Sequence, residues 1–195
     1  MISKNQAFLR LTCIFFMLFC LPTNSMRLCG LVLGDCFDSD SLVELENGEK
    51  VSVKNLVKGQ NIVCLRSRDG DAIYSSVTDV ITTTRYSAWQ IIIEPLTEDE
   101  EISLIVTQDH YIFSADNADV SPQALKRKTV GNLTINDFLL FKGKLVKIKR
   151  ISQIDYKSSK TMYSPITSDE VIEVNGIYCH CRSKLTEINN RFLLF

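Results

Sequence analysis

CFDSDSLVELENGEKVSVKNLVKGQNIV, running from Cys36 to Val63, is the stretch whose pattern decides the fold. Within it, LVELENG alternates apolar and polar residues and ends at Asn47–Gly48, after which EKVSV resumes the alternation. Two period-two runs joined by Asn-Gly predict a β-hairpin. KNLVKG is expected to form no more than a short helical turn, and QNIV opens the next strand.

The same grammar continues outward. QNIVCLRSRDGDAIYSSVTDVITTT predicts two strands across a turn at Asp69–Gly70. WQIIIEPL is rich in β-branched residues, and EISLIVTQDHYIF reads as a further strand pair. DFLLFKGKLVKIKRISQI turns at Lys-Gly, and DEVIEVNGIYCHC turns at Asn-Gly. No segment carries a long helical period, so the chain is expected to be all-β. There is also an internal echo. Val53–Val63 (VKNLVKGQNIV) and Val130–Leu140 (VGNLTINDFLL) both read Val-x-Asn-Leu, a polar turn, then an apolar strand. Two related lobes would produce it; so would chance likeness between two short β segments. Asn132-Leu133-Thr134, inside the second copy, is an N-glycosylation sequon.

Bulk properties narrow the function classes. With 195 residues, 45% hydrophobic and 23% charged, the composition is that of one globular domain or two small lobes. A net charge of −1 gives no reason to expect nucleic acid as a partner. The lysines of KGKLVKIKR alternate as on the solvated face of a strand. Residues 1–25 have the layout of a secretory signal peptide: Lys4 and Arg10, the apolar run LTCIFFMLFCL, Pro22, then small residues near Ser25. An uncleaved signal anchor is the alternative. The expected product is exported, with no membrane span once the leader is removed.

Export bears on the seven cysteines. Cys13 and Cys20 would leave with the leader, and Cys29, Cys36, Cys64, Cys179 and Cys181 would remain. An odd number in an oxidising compartment leaves at least one thiol outside intramolecular pairs, and the pairing cannot be read from the sequence. Cys179-His180-Cys181 lacks the second ligand pair a zinc site needs, so no metal is expected. His180 is expected to face solvent or to cap a turn.

His110 is one of only two histidines, and Thr107 stands three residues before it. A cysteine, a histidine and a positioning hydroxyl can support nucleophilic chemistry. Without a recognisable substrate loop, a protease acting on other chains is disfavoured. A cysteine can instead attack the carbonyl of the residue before it, here Asp35, turning a peptide bond into a thioester. That reaction needs close approach, oxyanion donors and an acid for the departing amine. Cys36 as an ordinary buried or disulfide-bonded residue is the plain alternative, and His110 would then be a satisfied core histidine.

The Cys36–Val63 stretch resembles the opening of the Hedgehog autoprocessing module, which belongs with inteins to the Hint superfamily. YSSVTDV looks like that module's next strand, VTQDHYIF matches its Thr-x-x-His block, and YSPITSDEVIEVNGIYCHC is similar to its closing segment. The resemblance covers roughly Cys36 to Cys181. It implies an all-β, pseudo-two-fold disc of two related lobes, with a leader at 1–25, a short segment at 26–35, the Hint domain at 36–181 and a tail at 182–195. It further implies self-cleavage by an N-to-S acyl shift at Asp35–Cys36. Cys36 would be the nucleophile, His110 the proton donor to the amine and Thr107 the group that positions the scissile peptide. Cys181 would fill the family's late cysteine position, as a disulfide partner, an idle thiol or a thiol that exchanges with the nucleophile. The chain would act on itself, with water or another nucleophile resolving the thioester.

Four departures from the family accompany these matches. Asp35 stands where the family has Gly, so bulk and negative charge are expected to slow the acyl shift. The family's sterol-activating aspartate falls near Thr82–Thr84, and Asp79 is out of register. The tail after Cys181 is shorter than the family's sterol-recognition extension, and both points argue against a sterol acceptor. Cleavage would release only a short peptide, not a signalling domain of the kind used in cell–cell signalling. A secreted, non-catalytic Hint module is the alternative function.

Overall fold

The computed structural model describes residues 35–67, 69–94, 101–121 and 124–181. The leader at 1–25, the residues up to 34 with Cys29, and the tail at 182–195 lie outside them. The described residues form twelve strands and short 3₁₀ turns, which is the all-β class expected.

The opening stretch folds as its pattern dictates. β1 (Phe37–Asp38) is followed by the hairpin of β2 (Leu42–Glu44) and β3 (Lys50–Ser52), with Val43 opposite Val51. A 3₁₀ turn at Val53–Asn55 leads to β4 (Asn61–Arg66). Two strands are far longer than their sequence fragments suggested: β5 (Ala72–Ile93) and β10 (Lys144–Thr167). YSSVTDV and WQIII are therefore one strand, and LVKIKRISQI and YSPIT are another. Between these lie β6 (Ile102–Val106), β7 (Tyr111–Ala115), β8 (Lys126–Thr129) and β9 (Phe138–Phe141); β11 (Val171–Val174) and β12 (Ile177–His180) close the described chain. Both predicted dipeptide turns near the end have the backbone they require. Lys142–Gly143 has φ of 45° and 78°, and Asn175–Gly176 has 50° and 80°, the paired positive φ of a tight hairpin turn.

The internal echo is structural. The second copy also makes a 3₁₀ turn, at Val130–Asn132, flanked by extended residues on both sides like the first. In each, the Val opens the turn and is fully buried, and the Leu N–H returns to its carbonyl. β4 pairs with the start of β5, as β9 pairs with the start of β10. The two long strands then run antiparallel along each other, from Ile148 opposite Ile93 to Thr167 opposite Val77. Each lobe thus owns a hairpin and shares the central pair.

The core follows the alternation. Phe37, Ile62, Ile91, Leu104, Ile112 and Leu139 are all fully buried in one cluster that spans the sheets, each side chain contributing about 1.5–3 kcal/mol. A smaller cluster holds Cys36, Ala88 and Met162, with Ile105 and Tyr156 packed against it. Successive strand residues face opposite sides, so Phe37 enters the main core while Cys36 enters the smaller cluster. EISLIVTQDHYIF does supply two strands, but β6 pairs with β5 and β1 whereas β7 pairs with β8, β9 and β12. The turn between them, Thr107–His110, carries the chain from one pairing set to the other.

Candidate active site

β1 brings Cys36 to that turn. Phe37 lies opposite both Tyr163 of β10 and Val106 of β6, which sets Cys36 beside Thr107. The Cys36 N–H donates to Thr107 Oγ1 at 3.3 Å, and the Thr107 N–H donates to the Cys36 carbonyl at 3.1 Å. The nitrogen of the Asp35–Cys36 peptide is therefore held by the threonine hydroxyl. The turn is held in its own right: the His110 N–H reaches the Thr107 carbonyl at 3.2 Å, and the Val130 N–H reaches the His110 carbonyl at 2.9 Å. The second copy of the repeat thus anchors the histidine.

His110 is fully buried, edge-on to Phe37 with ring centroids 4.4 Å apart. Its Nε2 lies 3.0 Å from the His180 carbonyl oxygen. A carbonyl can only accept, so Nε2 carries the hydrogen and Nδ1 the lone pair of the neutral ring. Nδ1 is shut from solvent and makes no hydrogen bond. Burial pushes the His110 pKa down from 6.5 to about 4; the Asp35 charge and the His180 and Cys36 carbonyls oppose the shift, and His180 adds to it. The ring is neutral near pH 7.

Asp35 is buried, with its carboxylate turned onto β7 and the end of β12. The Tyr111 N–H donates to Oδ1 at 3.3 Å, and His180 Nδ1 lies 3.4 Å from Oδ2. Burial alone would raise its pKa, but His180, the charge of His110 and the Tyr111 N–H together hold it below the usual 3.8. His180 is the residue that sequence reasoning missed. It is buried rather than facing solvent, lies edge-on to Tyr111 at 5.9 Å, and touches both Asp35 and His110. Its one sequence signal was scarcity, as one of two histidines.

Cys181 sits elsewhere. It is buried in the main core, its Sγ 3.0 Å from Thr167 Oγ1, and burial pushes its thiol pKa up to about 12. It is not disulfide-bonded to Cys36, and Cys64 and Cys179 are not bridged either. Burial raises their thiols as well, that of Cys64 to about 11. Asn132 is exposed, its amide donating to Thr129 Oγ1 at 2.8 Å. Thr82–Thr84 lie along the β5–β10 ladder opposite Thr161–Tyr163. Among the described residues no group of three or more His, Cys, Asp or Glu side chains could hold a metal ion, and no helix is long and apolar enough to cross a membrane. A cavity of about 290 Å³ lies between Leu42, Ser103, Phe141 and Asn175, lined by none of Asp35, Cys36, Thr107 or His110.

The sequence matches the Hint module family over residues 28–193. It is 22% identical over 151 residues to the Indian hedgehog protein of Xenopus laevis; the match covers 76% of this chain and 36% of that protein, so the chain spans about a third of its relative's length. The fold is similar to an intein-like domain from Clostridium thermocellum, with TM-score 0.60 and 15% identity over 75% of this chain and 98% of that one. It is likewise similar to a DnaB intein from Synechocystis, with TM-score 0.58 and 17% identity over 75% and 97%. The family match spans most of the chain, and the two-lobed all-β sheet is shared with these solved structures: the chain belongs to the Hint module family.

Proposed function

We propose that the chain cleaves itself once, at the Asp35–Cys36 bond. The Cys36 thiol gives up its proton and Sγ attacks the Asp35 carbonyl carbon. The C–N bond to Cys36 breaks, the amine takes a proton, and Asp35 becomes a thioester on Sγ. Water or another nucleophile then adds to the thioester carbonyl and displaces the thiol. The attack closes a five-membered ring of adjacent atoms, so nucleophile and carbonyl need no assembly from solution.

What carries the reading is the two-point hold on Cys36 by Thr107, with His110 in the same turn. The Thr107 hydroxyl fixes the scissile nitrogen. His110 has its Nε2–H committed to His180, which leaves Nδ1 to take the thiol proton and return it to the amine. A ring with a pKa of about 4 is a strong acid once protonated, which suits donation to a poorly basic amide nitrogen. Intramolecular action also fits the burial of Cys36, which leaves little room for an outside peptide. The leader pattern supports export, and on an exported chain Asn132, exposed in its sequon, would be open to glycosylation.

The test uses the full chain with a soluble reporter ahead of Met1, purified and treated with excess dithiothreitol. Release of the reporter with residues 1–35 is expected by intact mass, and Cys36→Ala abolishes it. A folded chain that releases nothing would instead be the non-catalytic Hint module.

A further inference from the structure

We infer that His180, with the backbone N–H of Tyr111, forms a clamp that makes the self-cleavage reaction accept an acidic residue before the cysteine. The inference rests on the reading above and names a specificity-determining residue for it. Asp35 stands at the one position whose side chain is attached beside the reacting carbonyl. A carboxylate there repels the oxyanion that forms when sulfur adds. Left without partners in a dry site, it also carries a large desolvation cost.

The structure answers both problems with the same contacts. The side chain is nine-tenths buried, yet its two oxygens face different groups: Oδ1 accepts from the Tyr111 N–H at 3.3 Å, and Oδ2 lies 3.4 Å from His180 Nδ1, within ion-pair distance but without hydrogen-bond geometry. One donor is backbone, fixed by the pairing of Tyr111 with Thr129. The second group is the His180 imidazole, at ion-pair distance from Oδ2, whose orientation is set by its edge-on contact with the Tyr111 ring, itself covered by the Arg127 guanidinium at 4.6 Å. Partners that draw on the carboxylate's charge weaken its repulsion of a neighbouring oxyanion. A side chain without charge has no use for the clamp. His180 therefore matters to an Asp35 chain and not to one with glycine at that position. Its carbonyl, which receives the His110 N–H, belongs to the backbone and survives a side-chain replacement.

The experiment measures thiol-induced release from the full reporter-tagged chain for the parent, His180→Gln, Asp35→Gly and the double variant. His180→Gln is expected to slow the parent at least tenfold and to change the Asp35→Gly chain by no more than about twofold. Equal slowing of both chains would mean that His180 only supports His110 or the fold, and would overturn the clamp; so would no slowing of either. If no chain releases the reporter, the self-cleavage reading fails on its own. The clamp is then judged by thermal unfolding of Cys36→Ala chains carrying Asp35→Asn and His180→Gln, singly and together. A double variant that loses much less than the sum of the singles supports it, and additive losses overturn it.

Discussion

Thr107 shows how much one hydroxyl can decide. Its Oγ1 is the acceptor for the Cys36 N–H, and both residues are buried. Thr107→Ala leaves that N–H without this partner, a loss of about 1–3 kcal/mol. The expected result is thiol-induced release at least tenfold slower, with a lower melting temperature but an unchanged far-ultraviolet circular dichroism spectrum. Valine, which keeps the branched shape, should rescue stability more than rate. A rate unaffected by either change would separate Thr107 from the reaction. Residues 107 and 110 could be picked out in the sequence because Thr-x-x-His is a local pattern. His180 could not, because its meaning lies in two contacts made across 70 residues or more, to His110 and to Asp35.

Among the elements, the hairpin turns carry most of the local information. Gly176 has φ of +80°, and a Cβ there would run into the Phe141 ring. Its carbonyl also receives the Lys142 N–H at 2.9 Å, so the turns after β9 and β11 brace each other. Gly176→Ala should destabilise the domain by roughly 1–3 kcal/mol, from left-handed strain plus displacement of the ring. Denaturant unfolding checks it, and a midpoint equal to the parent's would contradict the bracing. Such turns were legible as dipeptides between alternating runs. The lengths of β5 and β10 were not. Both are broken by charged and small residues and by a register shift between Asp155 and Lys160. Only the partner strand shows that the run continues across the interruption.

For the whole molecule, acid is the natural stress. His110 binds no proton in the fold until about pH 4, whereas in the unfolded chain it does so near 6.5. Between those values the unfolded state holds the extra proton, so stability falls as pH falls through the window, by an amount on the order of 3 kcal/mol. Asp35 adds to the loss lower down. Its folded pKa is depressed, so its contribution is present above 3.8 and disappears as the pH falls through the folded value. Urea midpoints of the Cys36→Ala chain measured from pH 7 to 4 should therefore decline, and His110→Gln should flatten the decline. A midpoint constant across that range would show that the ring is not held neutral.

The sequence by itself determined the all-β class, the hairpins and the candidacy of Cys36, Thr107 and His110. These follow from period-two alternation, turn dipeptides and motif spacing, which are properties of neighbours along the chain. Tertiary structure alone decided that β5 and β10 are continuous, that Cys181 lies in the main core while Cys36 lies in a separate cluster, and that the Asp35 carboxylate meets His180. Those facts depend on strand register between segments far apart in sequence. A shift of one residue would turn every side chain to the other face.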